Sequence, residues 1–235
     1  MFVSFSFCWK FSRILFPSPS PFHCTDLSIT ILLTEAQRVR GIEISGTSGG
    51  DGIAVVLDAL VGAVVDMAGN PSEAHLNLAV SETQDSILPT ITSAEIFLGT
   101  GVLQVTASET IDVTPTTYVI ESGIVVDNGA LPSGTALGLE RWIRLEGAHV
   151  MQGDADGLIF TLQMTEQQRV HAIALSNTLG GDGVSTVLDV DASAVRDIAG
   201  NLVLEDADNV MTEHADGTTV SALRLPVCLH LSSEY

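Results

Sequence analysis

The stretch GGDGIAVVLDALVGAVVDMAGN, from Gly49 to Asn70, returns as GGDGVSTVLDVDASAVRDIAGN from Gly180 to Asn201. An offset of 131 residues aligns the two without a gap. The same offset carries LTEAQRVRGIEIS at Leu33 onto MTEQQRVHAIALS at Met164. Thr34, Glu35, Arg38, Asp51, Asp58 and Asp66 thereby pair with Thr165, Glu166, Arg169, Asp182, Asp189 and Asp197. The likeness fades backward near Asp26. A period this long denotes a tandem array of whole domains, not a solenoid of ~20–50-residue units. One complete unit is expected over 85–216. Residues 26–84 form the back half of a preceding unit, and 217–235 form a degenerate tail resembling the start of another.

Composition narrows the function classes. The chain has 235 residues and is 46% hydrophobic, enough to build a core. Its 29 acidic and 9 basic residues give a formal net charge of −20. That field repels phosphate backbones, so nucleic acid is not an expected partner. Cys8, Cys24 and Cys228 lie near the two ends, and an odd count without CxxC spacing supports neither a zinc site nor a disulfide framework. Residues 1–25 hold six of the eight phenylalanines and read as an atypical leader, foreign to the mature protein or weakly signal-like. No membrane-spanning segment is expected, because no segment beyond the leader reaches the ~20 apolar residues a membrane helix needs, and Asp58 cuts IAVVLDALVGAVV.

Within the complete unit the pattern predicts short strands. AEIFLGTGVLQVTAS is two alternating runs joined by Gly99-Thr100-Gly101, a hairpin. TTYVIESGIVVDNG reads as a strand ending in the turn pair Asn128-Gly129. RWIRL is read with Trp142 inward, and DGLIFTLQ, STVLDV and AVRD as further strands. Thr165 is positioned to cap a short helix with Val170 and Ile173 on one face. The fold class expected is all-β: immunoglobulin-like β-sandwich repeats, each with one short helix.

The run LPTITSAEIFLGTGVLQVTASETIDV, the segment LTEAQRV, GGDG and the closing VVDMAGN together resemble bacterial-type immunoglobulin-like repeats of surface-layer proteins and adhesins. Such repeats open with Asp and Pro (here Asp85 and Pro89), carry an "FSE" on an early strand, and close with D-x-A-G-N. Ser108-Glu109 matches the second motif, with Ala107 where an aromatic is expected. The resemblance covers about 26–216. It implies a non-enzymatic, extracellular or cell-surface module acting as a spacer or adhesion unit, with neighbouring repeats, a surface protein or a glycan as partners.

Each chemical motif has a structural competitor. Asp66 and Asp197 suit the turn of D-x-A-G-N, with Gly and Asn taking positive φ. Asp154, Asp156, Asp189 and Asp191 are the candidate Ca²⁺ ligands, from GDADG and DVD, but the loop spacing of a calcium hand is missing. GTSGG matches the nucleophile elbow with Ser48, yet the second copy has Leu179 there. The histidines do not recur between copies and are expected on the solvated surface. An enzyme reading needs His149, Glu140 and Asp154 to converge, and a ligand-binding reading needs Trp142 exposed between Arg141 and Arg144.

Overall fold

A computed structural model describes residues 2–6, 28–66, 68–129, 141–151 and 155–217. Glu140 and Asp154 lie outside them. The described residues of 85–216, the span expected to be one complete unit, form two sheets around one core. The first sheet runs, in spatial order, Thr212–His214 (β13), Ile91–Phe97 (β5), Val102–Ile111 (β6), Gly157–Gln163 (β10) and His149–Val150 (β9). The second runs Asp206–Val210 (β12), Val187–Val190 (β11), Ile124–Asp127 (β7) and Trp142–Arg144 (β8). Most pairings are antiparallel; β13 joins β5 in parallel.

Alternation decides which side chains meet. In the first sheet Ile96 pairs with Leu103, and Val105 pairs with Phe160. All four are fully buried, as are Ile124, Val126 and Leu188 of the second sheet, and these residues share one core. Burying such side chains contributes about 1.5–3 kcal/mol each, so this layer dominates the unit's stability. The all-β architecture expected from the strand pattern is therefore present.

The predicted hairpin, the strand from DGLIFTLQ and the strand from STVLDV are observed. Other expectations change. The run TTYVIESG forms two 3₁₀ turns, Thr116–Tyr118 and Glu121–Gly123, before the strand begins at Ile124. AVRD forms no strand and contributes only isolated bridges, Ile111 to Asp197 and Arg196 to Leu202. On β8 the order is reversed: Ile143 is buried while Trp142 and Arg144 face outward. A period of two places residues 142 and 144 on the same side, so the core claims Ile143 and Leu145 instead.

Among the described residues the α-helices Glu35–Glu43 (α1) and Glu166–Leu175 (α2) start with the same capping box. Thr165 accepts from the Gln168 amide and Gln168 Oε1 accepts from the Thr165 amide. Gln168 Nε2 meanwhile donates to the carbonyls of Arg144 and Glu146, fastening α2 to the end of β8. The buried face is therefore Gln168, Ala172 and Leu175, with Ile173 partly buried; Val170 is exposed.

The preceding half-unit repeats these elements in register. Its α1, Val56–Ala59 (β3) and His75–Ala79 (β4) lie 131 residues before α2, β11 and β12. Strand Ser28–Leu32 (β2) matches the later part of β10 and pairs with Phe2–Ser6 (β1), within the segment read as foreign. The counterparts of β5–β7 have no place in residues 26–84, and the apolar face of β3 is left open. Val56 is 52% exposed, whereas its counterpart Val187 is 7% exposed.

Candidate functional site

The recurring carboxylates hold backbone in both copies. Asp51 and Asp182 accept from the amides of Ile53 and Val184. Asp58 and Asp189 accept from the amides of Asn77 and Asp208, residues at φ +58 and +60. Glu82 takes the amides of Gly46 and Val55, and Glu213 takes those of Asn177 and Thr186. The closing turn is built the same way twice. Asp197 accepts from the Asn201 amide at 2.7 Å and from Asn201 Nδ2 at 2.9 Å, and Asp66 does the same with Asn70. Gly69 and Gly200 carry the positive φ; the Asn side chains close the loop instead of taking that conformation.

Of the candidate calcium ligands, the three among the described residues are engaged separately. Asp156 accepts from the Val113 amide and the Thr114 hydroxyl. Asp189 holds Asp208, and Asp191 lies 3.8 Å from Arg144. The structure does not gather these three into a group of metal-ligating atoms. Ser48 donates its hydroxyl to the Ala199 carbonyl at 2.8 Å, a structural contact between copies. His214, expected to be merely solvated, stacks on Phe97 at 4.2 Å and meets Glu95 at 2.9 Å.

Polar groups converge where the half-unit meets the complete unit. Glu35 and Arg38 project from the first turns of α1, held by the capping box. Arg38 donates from Nε and Nη2 to the two Glu35 oxygens, each at 2.7 Å, and from Nη1 to Asp85. Its Nη2 also lies 3.1 Å from Glu109 Oε2 on β6. Glu35 Oε1 accepts the Thr110 amide at 2.9 Å. One turn of helix thus grips the opening Asp and the β6 end of the following unit through charge-assisted bonds. Beside it Gly49 packs on the closing turn so tightly that a Cβ would lie 2.1 Å from the Ile198 carbonyl oxygen.

Electrostatics at this joint are uneven. Hydrogen bonds from Arg38, reinforced by Thr110, hold the Glu35 carboxyl down at about 2. Glu109 is pushed up to about 7, chiefly by burial, with Arg38 opposing and Asp197, Asp85 and Glu35 adding to the rise. Its Oε1 is buried without a hydrogen-bond partner. The ligand atoms of Asp85, Glu109 and Asp197 lie within 4.8 Å of one another, and the Arg38 guanidinium already bonds two of these carboxylates. Along the joint opens a cleft of about 450 Å³ lined by Ser48, Asp112, Thr114, Tyr118 and Arg196. Arg196 lies over the Tyr118 ring at 3.3 Å and pairs with Asp112 at 3.1 Å.

Sequence reasoning found Glu35, Arg38, Asp85 and Glu109 as motif positions but gave them no role. It missed Glu82 and Glu213. The signal was present, because the 131-residue register continues past Asn70 to Glu82 with Glu213 and Asp85 with Asp216, among residues that mostly differ. Comparison with family models, with curated proteins and with solved structures returns no match. No helix among the described residues is long and apolar enough to cross a membrane.

Proposed function

We propose that this chain is a non-catalytic tract of tandem immunoglobulin-like β-sandwich repeats, serving as a spacer or adhesion module outside the cell or on its surface. The observation that carries this reading is the Arg38 joint. The duplicated helix of one repeat clamps the opening Asp85 and the β6 end of the next, which fixes one unit relative to its neighbour. A spacer needs that property, since an array of loosely tethered units would collapse on itself. The twice-built carboxylate loops support the same reading, because the recurring residues hold turns and not a reacting group.

Small-angle scattering on the full chain tests the mechanical part. The Arg38→Met variant is expected to show a broader distance distribution than the parent; an unchanged profile counts against a clamped joint. Protease treatment of intact producing cells tests location, and a chain left uncut on intact cells but cleaved after lysis contradicts a surface role.

A second reading, a carbohydrate- or protein-binding module, is favoured by Trp142. The indole is 45% exposed on β8, with the Arg144 guanidinium 5.9 Å from its ring. Aromatic faces beside a cation suit sugar or peptide ligands. A Trp142 indole resonance that shifts on titration with oligosaccharides, and a loss of binding in Trp142→Ala, would favour this reading over a plain spacer.

A further inference from the structure

The α1 clamp has a duplicate at the other end of the complete unit. Arg169 donates from Nε and Nη2 to Glu166, at 2.7 and 2.8 Å, and from Nη1 to Asp216 at 3.0 Å. Asp216 stands 131 residues after Asp85, so both arginines hold the same pair: a glutamate one turn before and the aspartate that opens a unit. The difference lies in what covers them. Glu35 is 31% exposed because Thr110 of the following unit donates to it, whereas Glu166 is 73% exposed. Ser48 bonds the closing turn of the following unit; its counterpart Leu179 is 99% exposed. A Cβ at Gly49 would strike Ile198, whereas one at Gly180 would meet only Ile173 of its own helix, at 3.4 Å.

We propose that Glu166, Arg169, Leu179 and Gly180 form a docking face for one further repeat of the same kind. That repeat meets the face with its own counterparts of Thr110, Glu109 and the Asp197–Asn201 turn. The inference rests on the tandem-repeat reading above and names its interface. Glu166 Oε1 accepts the incoming backbone amide, Arg169 meets the incoming glutamate, and the closing turn covers Gly180. Leu179 then exchanges a fully exposed apolar side chain for a contact, where Ser48 makes a single hydrogen bond. A nucleic acid or other polyanion does not fit this face, because among the described residues Arg169 is its only cation and is flanked by Glu166 and Asp216.

The test extends the full chain by one unit: residues 1–216 followed by residues 86–235, which preserves the 131-residue register. Hydrogen exchange is read at Thr110 and at its counterpart in the added unit. Glu35→Gln is expected to lower Thr110 protection about tenfold or more, and Glu166→Gln to do the same at the added counterpart. Leu179→Cys gives a second reading, with maleimide labelling at this site expected to be at least about tenfold slower in the extended chain than in the parent. If Glu35→Gln acts but Glu166→Gln does not, and Leu179→Cys labels equally in both chains, this inference is overturned and the Arg38 joint stands. If Thr110 protection is indifferent to Glu35→Gln as well, the clamped-repeat reading itself falls.

Discussion

Arg38 of α1 and Glu109 of β6, 71 positions apart in the chain, meet 3.1 Å apart with both side chains nine-tenths buried. The arginine also holds Glu35 and Asp85, so one guanidinium neutralises part of a four-carboxylate cluster that includes Asp197. Removing one partner of a buried ion pair costs more than the pair itself contributes, because the survivors stay buried and uncompensated.

Arg38→Met is therefore expected to destabilise the joint by about 3 kcal/mol. The loss should be local, and amide exchange is the measurement that shows it. Exchange should speed up at Thr110 and through α1, while the β6–β10 pairing remains protected. Uniform acceleration over the whole complete unit would contradict this assignment.

The joint should lose stability in both pH directions. Glu109 titrates higher in the folded chain, at about 7, than its ordinary value of 4.5, so folding takes up a proton. Its contribution is full below about pH 4.5 and is lost as pH rises through 7. Glu35 is held down at about 2, so its contribution is present above pH 4.5 and is lost as pH falls toward 2. Thr110 protection, corrected for the intrinsic exchange rate, should therefore peak near pH 5. In Glu109→Gln the decline between pH 5 and 7 should disappear; if it persists, another group is responsible.

Gly49→Ala and Gly180→Ala should differ although both glycines have positive φ, +85 and +100. Each pays about 1–2 kcal/mol for the left-handed backbone. Only Gly49 adds a collision, with the Ile198 carbonyl, and backbone cannot swing away as a flexible side chain does. Thermal melts of the two variants should place Gly49→Ala lower by several degrees. Equal midpoints would show that the Gly49 contact is loose in solution.

The half-unit 26–84 is expected to exchange faster than 85–216. Its β3–β4 pair leaves Val56 and Leu76 exposed, and two strands alone are marginal in water. Equal protection of β3 and β11 would refute this.

The all-β class and the capped helices were legible in the residues. Alternation, turn pairs and capping boxes are local, and a 131-residue register is visible without coordinates. The orientation of Trp142 was not legible: the pattern reads it as inward, but the core takes Ile143 and Leu145, and the period of two turns Trp142 outward. What the candidate calcium ligands bond to was not legible, because carboxylates in loops look alike in a sequence; only coordinates show that Asp189 is engaged by the Asp208 amide and Asp156 by Val113 and Thr114.

What the sequence determined by itself is the repeated unit, because local hydrogen-bond and burial preferences are written into each copy. What only the tertiary structure decided is the joint. Arg38, Asp85 and Glu109 are separated by up to 71 positions, and neither spacing nor residue type says which carboxylates one guanidinium will collect. That choice is made by packing, which brings the first turn of α1 against the end of β6 and excludes the water that would otherwise solvate them.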